Sequence, residues 1–294
     1  MSLTRVGIIR DINHPSFEKT NELFEIFQNE LKDNYKIVDI FIDQDRKWHY
    51  LGIPILPMDL HHKVDILWNP NYGDISQILS HVGIPHISHN PFNYILENNK
   101  DNFRRYAESL NLKTPQNILI PPYQGDMDGN LDIYAHKKAK EIWNKFSPPY
   151  LLHTISNDKN IGNFVVKTFP DLVKNIYDLL ESGNNVLIEE IIIGDKKVMH
   201  FLPNFRNQKY YSLYSNLKDE NLKNVLLKNG EHLINNLNHH HYLKISFIIK
   251  GKSIYIENIS FDLDLNNNEL NKHFNDFGIK KAHIIEHILQ NAII

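Results

Sequence analysis

Hydrophobic and polar positions along this chain follow two periods, and the changes of period mark three successive blocks. Residues 6–9 form a short apolar run of the kind a buried strand carries, and Phe17, Leu23, Phe24, Ile26, Phe27 and Leu31 then fall on one face of a helix. Residues 36–43 alternate apolar with polar, and Asp45, Arg46 and Lys47 make the turn into a hairpin partner at 48–55. A strand at 64–68, a short helix at 75–79 and, past the break at Gly83, a strand at 84–87 complete the block. Strands that alternate with helices predict a parallel sheet covered by helices on both faces.

The second block opens near Asn98. Phe103, Tyr106, Ala107 and Leu110 fall at helical spacing, and Thr114-Pro115 precedes a strand at 117–120. A Pro- and Gly-containing loop then leads to a helix at 132–143, a β-hairpin spanning 149–168, and a helix whose stripe of Phe169, Leu172, Val173, Ile176, Leu179 and Leu180 is closed by Gly183. The third block reads as mostly antiparallel. Strands at 186–192 and 197–202 precede a helix at 222–237, strands at 242–249 and 253–261 meet at the tight turn Lys250-Gly251-Lys252, and two amphipathic helices end the chain.

Composition narrows the classes. A chain of 294 residues is long enough for two or three α/β subdomains, each with a core. The formal net charge of −3 gives no pull toward nucleic acid or an anionic membrane surface. With no cysteine there is no disulfide framework, thiolate nucleophile or cysteine metal site. No signal-peptide order precedes the first strand and no apolar run approaches a bilayer span, so a cytoplasmic protein is expected. His61-His62 and His239-His240-His241 invite a metal hypothesis, but adjacent residues of a strand point to opposite faces, so a run of histidines is a poor chelate.

Several motifs, in this order and spacing, resemble those of the D-alanine–D-alanine ligase family of ATP-grasp enzymes. Gly83-Ile84-Pro85 is followed by Lys100, then Thr114-Pro115; the strand at 187–196 carries Glu189, Glu190 and Gly194; and the hairpin carries His153-Thr154 ahead of a polar loop at 158–162. The resemblance covers essentially the whole chain. It implies an α/β fold that becomes α+β toward the C-terminus: a Rossmann-like domain at 1–97, a central ATP-grasp subdomain at 98–184 and a C-terminal one at 185–294. It also implies, for an active member, ATP and Mg²⁺ as cofactors, a small amino acid as substrate, an acyl-phosphate route to a cell-wall precursor, and a homodimer.

The same resemblance exposes substitutions at the reactive positions. Lys100, His153, Glu189, Glu190 and Lys196 fall where the family holds nucleotide, but His153 replaces a phosphate-contacting Lys and Lys196 replaces a ribose-binding Glu, leaving no acceptor there. Asp158 places a negative charge where a Gly-rich loop would approach the phosphates. Of the metal-binding positions Glu257 keeps its carboxylate, Ser246 replaces another ligand, and Asp262 with Asp264 are further candidates. Lys244 takes the place of a catalytic Arg, and Ser16 that of a Glu which would hold a substrate ammonium, with Glu18 two residues on. The substrate segment is cut to 69–74, and the family's flap to 205–214, where Lys209 and Tyr210 are its echoes.

Each lost charge-assisted hydrogen bond costs about 1.5–3 kcal/mol, so four such losses nominally remove roughly 6–12 kcal/mol of transition-state or ligand stabilisation, though such terms are not additive. The expectation is therefore a ligase-like protein with impaired or absent catalysis, in which case no cofactor is required. The alternatives are a divergent carboxylate–amine ligase working through Lys100, Glu190, Lys244 and Glu257, and a module that senses nucleotide without turning it over.

Overall fold

The computed structural model describes residues 3–70, 74–88, 91–155, 164–214, 217, 219–237 and 241–293. The first block builds β1 (Thr4–Asp11), α1 (Phe17–Leu31), β2 (Tyr35–Ile42), β3 (Trp48–Tyr50), β4 (Ile53–Ile55), a 3₁₀ segment (Pro57–His62), β5 (Ile66–Trp68), α2 (Asp74–Val82), β6 (His86–Ile87) and α3 (Pro91–Asn98). The strands form a six-stranded sheet of order β4-β3-β2-β1-β5-β6. β1 pairs in parallel with β2 and β5, β5 with β6, and β3 and β4 close one side antiparallel. The single hairpin partner expected at 48–55 is thus two strands. Leu51 (φ 49°) and Gly52 (φ 81°) both enter the left-handed region and turn the chain back on itself.

The second block contains α4 (Lys100–Ser109), β7 (Asn117–Ile120), α5 (Gly125–Asp128), α6 (Leu131–Lys145), β8 (Tyr150–Ile155), β9 (Phe164–Val166), α7 (Phe169–Glu181) and β10 (Asn185–Glu190). Asn99, Asn130 and Thr168 cap α4, α6 and α7 by accepting from backbone N–H groups of the first turn. The strands make an antiparallel sheet of order β7-β10-β8-β9. Period-2 alternation gives it two distinct faces. Ile120, Tyr150, Leu152, Val186 and Ile188 pack on Ala135, Ala139 and Ile142 of α6 and on Leu172, Ile176 and Leu180 of α7. Leu151, His153, Leu187 and Glu189, being one residue out of step, face the other way.

The remainder forms β11 (Asp195–Pro203), a 3₁₀ turn (Phe205–Asn207), β12 (Tyr210–Tyr214), α8 (Glu220–Leu237), β13 (Leu243–Lys250), β14 (Ser253–Ser260), α9 (Asn268–Asp276) and α10 (Lys281–Ile293), with a sheet of order β12-β11-β13-β14. By contacts the chain divides into two compact units. One comprises Met1–Asn98, Val198–Ile245 and Ile259–Ile294; the other comprises Asn99–Lys197 and Ser246–Asn258. The core of the first joins Val6 and Ile8 of β1 and Phe27 of α1 to Phe274 of α9 and Ile284, Ile285 and Ile288 of α10, with Phe27 meeting Trp68 edge-on at 4.8 Å. No helix among the described residues is long and apolar enough to cross a membrane.

Candidate functional site

In the second unit, the register of β10 determines which expected residues meet. Leu187 lies opposite His153 and Glu189 opposite Leu151, so His153 and Glu189 share the face away from the apolar core and are diagonal neighbours across two strands. α4 brings cations to this carboxylate. Lys100 and Arg104, one turn apart, lie on one side of the helix. Lys100 Nζ donates to Glu189 Oε2 at 3.1 Å, and Arg104 Nη2 lies 2.9 Å from Oε1. The Glu189 and Arg104 side chains are only 6% and 4% exposed, whereas Lys100 is 41% exposed.

One carboxylate faces two cations in this cluster, so every charge has a partner and the sum is positive. A carboxylate withdrawn from water needs a partner, and Glu189 has two. Burial pushes the Arg104 guanidinium below its ordinary range, while Glu189, the nearest opposing charge, pushes it back up. His153 Nε2 is 3.9 Å from Glu189 Oε1, outside hydrogen-bond range. Burial lowers the imidazole's pKa, Glu189 opposes that shift, and Lys100 and Arg104 add to it, which leaves His153 neutral at pH 7. Its Nδ1, Arg104 Nε and Nη1, and Glu189 Oε1 are buried with no hydrogen-bond partner among the described residues, so Arg104 and Glu189 meet as an ion pair.

The other expected residues occupy separate settings. The Glu190 carboxylate accepts from the backbone N–H of Gln116, and the Glu190 N–H donates to Gln116 O at 2.8 Å, so this residue ties β10 to the segment leading into β7. Lys196 Nζ donates to Glu257 Oε1 at 2.6 Å, with side chains 66% and 30% exposed. The lysine that replaced an acceptor therefore engages the one retained metal-position carboxylate. Lys244 and Ser246 stand two residues apart on β13, both half-buried. Among the described residues, no group of three His, Asp or Glu side chains is placed to hold a metal ion. The loop at Asp158–Gly162, Asn71 to Gly73 of the shortened substrate segment, and His239 and His240 lie outside the described residues.

In the first unit, Ser16 starts α1. Its N–H donates to His14 Nδ1, and its carbonyl accepts from both Thr20 N and Thr20 Oγ1. Ser16 also lines a small cavity with Lys19, Glu22, Asp262 and Asp264. The 205–214 stretch is a tight hairpin joining β11 to β12. Phe205 is buried in the unit's core, and Lys209 lies over the ring of Tyr210 at 5.3 Å. Arg104 is the member of the buried cluster that sequence reasoning passed over. Its signal was weak: a cation four residues after Lys100, on the side of α4 that also buries Phe103 and Ala107.

No protein-family model matches the sequence, and no curated protein matches it. Solved structures do match in fold. D-alanyl-alanine synthetase A from Vibrio cholerae O1 biovar eltor superposes with a TM-score of 0.76 at 12% identity, covering 100% of this chain and 99% of that one. VanG D-Ala:D-Ser ligase from Enterococcus faecalis gives 0.73 at 12% identity, covering 99% and 100%. D-alanine–D-alanine ligase from Bacillus anthracis, complexed with ATP, gives 0.71 at 16% identity, covering 100% and 98%. The chain has the ATP-grasp fold of the D-alanine–D-alanine ligases along its whole length.

Proposed function

We propose that this chain is a non-catalytic homologue of the D-alanine–D-alanine ligases, a cytoplasmic protein that retains the scaffold while its nucleotide-facing positions hold one another. The reading rests on one observation: the Glu189 carboxylate is buried and paired with both Lys100 and Arg104 of the same unit. Lys100, which the resemblance places at nucleotide, is engaged with Glu189. His153 carries no charge to replace it at pH 7. The residues present do not suit a triphosphate with its divalent ion. Mg²⁺ favours carboxylate oxygens alongside phosphate, and here Glu257 accepts from Lys196 while Ser246 has a hydroxyl in place of a carboxylate. We therefore assign no chemical step through nucleotide or metal. A homodimer, as expected from the resemblance, belongs to this proposal as well.

A phosphate-release assay tests this reading against the divergent-ligase alternative. With ATP, Mg²⁺ and a panel of D-amino and D-hydroxy acids, the proposal expects no release above a no-enzyme control. Turnover with any member of the panel overturns it and favours a ligase.

A further inference from the structure

Residues 51–58 read Leu-Gly-Ile-Pro-Ile-Leu-Pro-Met, eight consecutive positions without a polar side chain. They run from the β3–β4 turn through β4 into the 3₁₀ segment, at the open side of the six-stranded sheet. An apolar run of this length is ordinarily buried. Here Leu51, Ile53, Leu56 and Met58 are 55%, 68%, 62% and 68% exposed, and Pro54 between them is exposed as well. Ile55, by contrast, packs against the core. Single exposed apolar residues carry no meaning, but a contiguous cluster marks a surface that another surface covers.

Addition of a further strand is closed to this edge. Tyr50 and Ile53 flank a two-residue turn and bond to each other, which directs the backbone of Pro54 outward, and Pro54 has no N–H to give. Contact therefore runs through side chains. The flanking charges point to the partner. Between residues 43 and 63, Arg46, Lys47 and Lys63 balance Asp43, Asp45 and Asp59. Arg46 pairs with Asp11, Lys47 with Asp45 and His49 with Asp43. A polyanion finds no surplus cation there, and a basic partner no surplus anion. A second copy, which brings the same charges to a two-fold interface, meets no net like charge. Size agrees too. An interface takes about 20–30 residues from each partner, of which under about 30% carry most of the energy, and five neighbouring apolar side chains approach that number.

We infer that this apolar cluster is the face on which two copies of the chain associate, in an isologous contact of β4 and the 3₁₀ segment. The inference rests on the homodimer included in the proposed function and gives that dimer its surface.

Sedimentation velocity of the full chain, from low micromolar to about 0.1 mM, tests it. A concentration-dependent dimer is expected. Ile53→Glu and Met58→Glu, at positions solvated in the single chain, should each raise its dissociation constant tenfold or more, while Ile133→Glu, at a 71% exposed position of α6, should leave it unchanged. The chain has no cysteine, so Met58→Cys introduces a single thiol. Its maleimide labelling should slow at least fivefold between the dilute and concentrated ends of the range, a protection that misfolding cannot imitate, and Ile133→Cys should show none. A dimer indifferent to both glutamates, or a Met58→Cys thiol labelled equally fast throughout, overturns this interface and leaves the homodimer standing. A chain monomeric at every concentration overturns both, and the non-catalytic reading is still judged separately by phosphate release.

Discussion

At the scale of single residues, the buried ion pair decides most. Removing one partner of such a pair strands the other charge in a poorly solvated place, at a cost of about 3–5 kcal/mol. Arg104→Ala is therefore expected to lower unfolding free energy by about that amount in urea titrations. Lys100→Ala, which removes a half-exposed cation, should cost about 1 kcal/mol or less. Equal losses from the two would contradict the assignment of Arg104 as the buried partner.

His200 makes a second residue-scale prediction. It is buried, hydrogen-bonded through Nδ1 to Tyr242 Oη at 2.7 Å, and lies 5.5 Å from the ring of His273. Burial, reinforced by His273 and Lys244, lowers its pKa from 6.5 to about 3. Below pH 6.5 the unfolded chain gains a proton that the folded chain refuses. Stability is accordingly complete above pH 6.5 and falls as pH drops toward 3, by up to about 1.4 kcal/mol per pH unit from this group. Burial lowers the pKa of His153 and His287 too, and these add to the same slope. His200→Gln, which keeps a hydrogen-bonding side chain that does not titrate, should flatten the slope of denaturation free energy between pH 6.5 and 5. An unchanged slope would exclude His200 as a contributor.

At the scale of elements, two glycines permit close approaches that hydrophobic periodicity does not reveal. A Cβ at Gly194 would sit 2.3 Å from the carbonyl oxygen of Ile249, and one at Gly230 of α8 would sit 2.1 Å from the Phe201 ring. Gly194→Ala and Gly230→Ala should each destabilise by about 1–3 kcal/mol through overpacking, measurable as a drop in denaturation midpoint. Gly194 was visible in the sequence only as part of a resemblance, and its packing role emerges from the backbone of β13 beside it. Most elements were legible because period and length agreed, as in α1, α7 and the alternating β2. The β3–β4 turn was not, because Leu51 is an apolar residue in a left-handed conformation that composition gives no reason to expect. The strand β12 lay inside a stretch read as a shortened flap, and α3 and α5 are too short to show a full helical stripe.

At the scale of the whole molecule, the fold was readable from the order of motifs, and solved ligases match it along the chain's full length. The positions expected at a nucleotide were readable only one by one. Their pairing was not, because Glu189 meets Arg104 through a helix-to-sheet contact that spans 85 residues of sequence, and Lys196 meets Glu257 across 61. A substitution in isolation reads as the loss of a ligand contact. In the fold, a replacement cation, Lys196, comes to rest on a retained carboxylate, Glu257.

Isothermal titration of the full chain with ATP in the presence and absence of Mg²⁺ tests this account most directly. No saturable heat is expected at submillimolar nucleotide, and magnesium should make no difference. Magnesium-dependent binding in the submillimolar range would contradict it, by showing that Lys100 and Glu257 leave their internal partners for a triphosphate and its ion.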